Sequence, residues 1–172
     1  DLNDMFGINS GMKGSLNGSA FLSDPKGVIR FTSNLFIDSL YLNNHEIGNI
    51  TTLAAWDPIL NCVSMDGDLF YLDQKTFDFS GKYFIKKKKK NLDFNLDFNK
   101  MPIGIANAFM NEDVVNNING KINGKLKVTG EPIAPVMKGR LFVDDASANI
   151  SILGVDLNFN GKLKVLPDAF II

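Results

Sequence analysis

The stretch Asn91-Leu92-Asp93-Phe94-Asn95-Leu96-Asp97-Phe98-Asn99 decides how the rest of the chain is read. Its odd positions are all polar and its even positions all apolar, the period-two alternation of a β-strand with one wet face and one apolar face. Thr76, Asp78 and Ser80 alternate with Phe77 and Phe79 in the same way just upstream. Five lysines, Lys86 to Lys90, lie between the two runs where a hairpin connection would fall. They read as a solvated turn, against a rival reading as a contact with an anionic membrane that five positive charges at one edge of a sheet would serve.

Downstream the same pattern continues. Ile122, Leu126 and Val128 alternate with Lys121, Asn123, Lys125, Lys127 and Thr129; Leu141 and Val143 follow; then Val155, Leu157, Phe159, Leu163 and Val165 keep one parity. Asn-Gly pairs at 17–18, 119–120, 123–124 and 160–161, together with Asp66-Gly67, tolerate positive φ and suit tight hairpin turns or sheet-bending bulges. Short links imply antiparallel neighbours. Upstream, the stretches 12–16, 28–31, 35–42, 47–55, 59–65 and 69–72 read as further strands, which brings the expected total to about a dozen by strand signals. One segment departs from this pattern. Pro102 opens a run in which Ile103, Ala106, Met110 and Val114 fall at helical spacing, which predicts a helix over 102–117, its stripe covering part of the sheet.

The chain has 172 residues, which suits one domain over 1–172. Its 45% hydrophobic and 22% charged residues exclude intrinsic disorder, and there is no apolar run long enough for a spanning helix. With 18 basic and 19 acidic residues there is no global field for a nucleic acid, so no nucleic-acid partner is expected. The apolar end Ala169-Phe170-Ile171-Ile172 reads as a piece of something longer. No catalytic constellation or cofactor site is expected. His45 beside Glu46 reads as a turn residue near Asn43 and Asn44; Asp66 and Asp68 flank a turn glycine and lack further oxygen ligands for a metal; Cys62 sits in an apolar run and reads as a small buried hydrophobe.

The expected fold is therefore mainly β: a curved antiparallel sheet forming an open apolar groove, with one short helix. Its floor would carry Phe77, Phe79, Leu92, Phe94, Leu96, Phe98, Ile122, Leu126, Val128, Leu141, Val143, Val155, Leu157, Phe159, Leu163 and Val165, and Ile103, Ala106 and Met110 would cover it. A membrane barrel fits poorly, because Trp56 is the single Trp and there are only 3 Tyr to build aromatic girdles.

The run from Ile118 to Ala146, INGKINGKLKVTGEPIAPVMKGRLFVDDA, resembles the Gly-rich strand, Pro-x-x-Pro and Gly-x-Leu-x-Val-x-Asp-Ala pattern of the AsmA-like/TamB (translocation and assembly module) superfamily. Leu40 to Gly48 resembles an earlier strand-turn-strand step of that family, and 102–117 resembles the helix before its Gly-rich repeat. These residues are individually common, so the resemblance lies in their order and spacing. The five-lysine run is a departure from the pattern at a turn. The resemblance implies a segment of the long β-taco region of an inner-membrane-anchored periplasmic protein in a two-membrane bacterium, serving outer-membrane biogenesis. Implied partners are phospholipid or other lipid acyl chains, carried along the apolar groove, and an outer-membrane β-barrel assembly protein. The alternative is a scaffold that templates outer-membrane protein strands by β-augmentation.

Overall fold

The computed structural model describes residues 11–24, 27, 30–85, 90–109, 113–167 and 169–171. Ten strands form one antiparallel sheet in which spatial order follows chain order: β1 (Met12–Ser23), β2 (Arg30–Leu42), β3 (His45–Asp57), β4 (Cys62–Tyr71), β5 (Gln74–Phe84), β6 (Leu92–Pro102), β7 (Val115–Glu131), β8 (Ala134–Ile150), β9 (Val155–Leu166) and the three-residue β10 (Ala169–Ile171). The sheet is open and curved, and among the described residues no second sheet packs on it.

Two expectations are corrected here. The upstream runs 59–65 and 69–72 belong to one strand, β4, with Ile59 and Leu60 in the preceding turn and Leu72 in the following one. The helix expected over 102–117 is a 3₁₀ helix, η1 (Ile103–Phe109). Residues 110–112, Met110 among them, lie outside the described residues, and Val115 to Asn117 already belong to β7. Local chemistry explains the short helix: Gly104 and Asn107 are poor helix formers, and the Asn107 amide spends both its groups on β7. Its Nδ2 donates to the Ile118 carbonyl at 2.9 Å, and its Oδ1 accepts the Ile118 N–H at 3.0 Å, as a neighbouring strand would.

The Asn-Gly and Asp-Gly pairs do not form the hairpin turns. They lie inside β1, β4, β7 and β9, while the tight turns fall at Asn43-Asn44, Leu72-Asp73 and Pro132-Ile133. Positive φ at Asn43, Asn44, Leu72 and Asp73 gives the first two the backbone twist that hairpins prefer. Part of the Asn signal belongs instead to bulges. Ile37 faces Ile50 and Leu40 faces Gly48, so Asp38 and Ser39 together oppose Asn49. The same two-against-one arrangement sets Asn99-Lys100 against Asn123 and Asp144-Asp145 against Asn160. In each, the second bulge residue (Ser39, Lys100, Asp145) has φ near +50°. Asn49 and Asn123 accept the bulge N–H of Ser39 and Lys100 at 2.9 and 2.8 Å, and Asn160 donates to the Asp145 carboxylate at 3.4 Å. Bulges add bend and twist, and this device recurs on β2, β6 and β8 toward one end of the strands.

Candidate functional site: the apolar face

Directly opposed residues on antiparallel strands share a face, so the register can be read as rows across the sheet. One row runs Leu16, Ile37, Ile50, Leu69, Phe77, Phe98, Gly124, Leu141, Leu163; the next runs Gly18, Leu35, Thr52, Gly67, Phe79, Leu96, Leu126, Gly139, Val165. A third joins Met65, Gly81, Phe94, Val128 and Met137. Phe77, Phe79, Leu92, Phe94, Leu96, Phe98, Ile122, Leu126, Val128, Leu141, Leu163 and Val165 thus stand on one face, as their parity anticipates. Val143 pairs with Ile122 and Gly161, and Phe159, Leu157 and Val155 continue β9 opposite Ala146, Ala148 and Ile150.

Aromatic rings organise the middle of this face. Phe77 lies 5.0 Å from Phe98 and 6.3 Å from Phe79, and Phe79 lies 6.2 Å from Phe94, in the tilted geometries that aromatic pairs favour. The Phe79 ring occupies the space above Gly67, where a Cβ would come within 2.4 Å of it; Phe94 covers Gly81 in the same way at 2.6 Å. The glycines let the rings lie flat against the neighbouring backbone, a pairing that pins register.

Burial on this face falls into two clusters. Leu40, Ile47, Leu69 and Ala108 form the first, with Ile37, Ile50, Phe77, Met101 and Ile105 packed around them. Ala108 and Ile105 come from η1, so the short helix lies against one end of the apolar face, held by the Asn43 Nδ2 donating to the Ala108 carbonyl at 2.8 Å. The inward residues of η1 are therefore Ile105 and Ala108. Ile103 and Ala106, expected as the stripe, are half-buried, and Met110 is outside the described residues. The 3₁₀ repeat of three residues per turn shifts the phase from the one that α-helical spacing gives. The second cluster, Leu126, Leu141 and Val165 with Leu96, Phe98, Ile122 and Leu163, is built from strand residues alone among the described residues.

The opposite face carries charge. Asp68, Asp78, Asp97, Lys125, Arg140 and Lys164 stand in one row across β4 to β9. Lys125 pairs with Asp97 and Lys127 with Asp93, while Lys75 bridges Asp68 at 3.0 Å and Asp78 at 3.3 Å. Hydrogen bonds that the Lys75 and Lys125 ammonium groups donate to these carboxylates raise their pKa above the ordinary lysine value. This face also bears apolar residues that alternation does not anticipate, Phe21, Phe36, Leu53 and Phe142, and a shallow hollow of about 350 Å³ lies between Phe21, Asn34, Leu53 and Asp66.

The other polar candidates are dispersed. His45 begins β3 opposite Leu42, directly after the Asn43-Asn44 turn, and borders a polar hollow with Asn107 and Asn119. Asp66 and Asp68 lie mid-strand in β4, not at a turn, and no group of three metal-ligating side chains occurs among the described residues. Cys62 is fully buried and free. No family model, no curated protein and no solved structure matches this chain.

Proposed function

We propose that the chain is a non-enzymatic lipid-handling segment whose apolar face forms a groove that binds or conducts acyl chains. The observation that carries this reading is the pair of apolar rows crossing nine strands, with η1 at one end as the only element lying over them among the described residues. Eight strand spacings extend such a floor over about 38 Å, more than the ~30 Å thickness of a bilayer's hydrocarbon core. Each methylene transferred from water to an apolar floor contributes about 0.8 kcal/mol, so the face offsets what a tail loses on leaving a bilayer and needs no covalent chemistry. The resemblance of Ile118 to Ala146 to the AsmA-like/TamB superfamily supports the same reading, and with it a periplasmic place within a membrane-anchored protein of outer-membrane biogenesis.

Mass spectrometry of lipid co-purified with the folded protein tests it. Acyl lipid should accompany the native protein and be lost from a Phe94→Asp/Leu96→Asp variant that retains its β-sheet circular dichroism; an Asn95→Asp control on the opposite face should keep it. Native protein free of lipid would overturn the reading.

One observation favours templating of another chain's strands as the second reading. β1 is the first strand in the order of the sheet, with no further strand beside it among the described residues, and Lys13 is its only charge. Edge strands are usually protected by charge or proline. Capture of unfolded outer-membrane polypeptide by crosslinkers along β1, with none of lipid on the apolar face, would select it.

A further inference from the structure

Charge is segregated along the charged face. From β4 to β9 its central row reads Asp68, Asp78, Asp97, Lys125, Arg140, Lys164, three carboxylates and then three cations. In the next row Lys127 stands directly opposite Lys138, and Lys162 shares the face two residues before Lys164 on β9. Like charges directly opposite on adjacent strands destabilise a sheet, and the two halves of the face meet that cost differently. On the acidic side it is relieved from within: Lys75 bridges Asp68 at 3.0 Å and Asp78 at 3.3 Å, and Lys125 pairs with Asp97. On the basic side Lys127 reaches back to Asp93, whereas Lys138, Arg140, Lys162 and Lys164, all exposed, enter no ion pair among the described residues.

Neighbouring strands lie about 4.8 Å apart and alternate residues along a strand about 6.8 Å apart, so these four side chains rise from an area one strand spacing wide and about 14 Å long. That concentration of positive charge calls for an anion of high charge density. A carboxylate brings one charge, whereas a phosphate group brings roughly two, with three acceptor oxygens, and the planar Arg140 guanidinium can meet two of those oxygens at once. Carboxylates bound the patch: Asp97 on β6 across the strands, and Asp144 along β8, directly opposite Lys121. A long polyanion laid over this face would run into them, so the occupant is compact.

We propose that the cations of β8 and β9 bind a compact ligand bearing two or more phosphate groups, the Arg140 guanidinium gripping one group and Lys138, Lys162 and Lys164 meeting the others. This does not rest on the acyl-groove reading, since these side chains stand on the face opposite the apolar rows.

Titration calorimetry of the whole chain at low salt tests it, with tripolyphosphate and orthophosphate as probes. Tripolyphosphate should bind at a single site and at least about tenfold more tightly than orthophosphate, because each added charge-assisted hydrogen bond is worth about a decade in affinity. Arg140→Gln/Lys164→Gln should weaken it about a hundredfold by the same measure, and the Tm of the unliganded variant should hold or rise, since opposed cations are removed. Lys138→Gln/Lys162→Gln, which leaves the central row intact, should weaken it too, whereas Lys13→Gln/Lys75→Gln, an equal loss of charge elsewhere, should not. Native protein that binds no tripolyphosphate, equal affinity for the two probes, or equal loss in the Arg140/Lys164 and Lys13/Lys75 variants would overturn the proposal. Sedimentation with phosphatidic acid vesicles, against phosphatidylcholine alone, identifies the source: binding to the phosphatidic acid vesicles together with tripolyphosphate assigns the phosphates to lipid headgroups, and binding to tripolyphosphate alone assigns them to a soluble ligand.

Discussion

The two buried clusters of the apolar face differ in what covers them. Around Leu40, Ile47 and Leu69 the chain supplies its own lid, η1, whose Ala108 is only 2% exposed. Around Leu126, Leu141 and Val165 there is no lid among the described residues, yet these side chains are 9%, 7% and 3% exposed. A flat sheet would leave them open on one side. Their burial comes from the packing of side chains on adjacent strands, Leu96, Phe98, Ile122 and Leu163 among them. The end beneath η1 is therefore packed as a core between sheet and helix, whereas the second cluster is packed between strands alone among the described residues.

The largest effect that can break this comparison is truncation inside each cluster. Leu69→Ala, beneath η1, should cost 2–5 kcal/mol, and Leu126→Ala less, because the uncovered site can collapse or fill from outside. Urea denaturation of both variants checks this; equal losses would show that η1 adds nothing to the first cluster. The lid itself comes next. Asn107→Ala removes both hydrogen bonds to Ile118 and should cost about 1–3 kcal/mol, while making a reporter at Leu69 accessible to an apolar dye. If the dye response at Leu69 stays unchanged, η1 does not depend on Asn107.

Smaller again are the bulges. Asn123→Ala leaves the Lys100 N–H without its acceptor and should cost about 1 kcal/mol, and Asn49→Ala at the equivalent bulge should match it; unequal values by thermal melts would show that the repeat is geometric only. The least effect is expected on the charged face. The pKa of Lys75 is raised, so its pairing with Asp68 and Asp78 supports the fold fully below the ordinary lysine pKa and is lost as pH rises through the raised value. The partners are solvent-exposed and screened, so Lys75→Ala should barely move Tm at neutral pH, and any difference from the native protein should vanish at high salt and above the raised pKa.

How much of this was legible in the sequence follows from periodicity. Leu92 to Phe98 alternate without a break, so strand, face and partner all follow from parity, and the rows through Phe77 and Leu126 follow with them. The Asn-Gly pairs carry a signal whose meaning is ambiguous, because positive φ serves a turn and a bulge equally; only pairing shows that Asn123 and Asn160 oppose bulges at Lys100 and Asp145. A shared pattern was available in Ile37-Asp38-Ser39-Leu40, Phe98-Asn99-Lys100-Met101 and Val143-Asp144-Asp145-Ala146, each an apolar residue, an Asx, a polar residue and an apolar residue. It is too short to stand out among strands of similar composition. The segment after Pro102 was misread in length because Ile103, Ala106 and Met110 fit an α-helical stripe, whereas the Asn107 amide, acting as a surrogate strand edge for Ile118, is a tertiary interaction that spacing does not encode. The turn isoleucine Ile59 looked like a strand residue, since a hydrophobe carries no mark of exposure.

The central claim is that the uncovered apolar face holds acyl chains while the end beneath η1 does not. Photo-crosslinking with the reactive side chain placed at Phe94, Val128 or Leu157, and at Leu69 beneath the lid, measures it most directly when the folded protein is incubated with acyl lipid. The account predicts lipid adducts at the first three positions and none at Leu69. Adducts at all four in equal yield, or at none while unfolded outer-membrane polypeptide is captured instead, would contradict it.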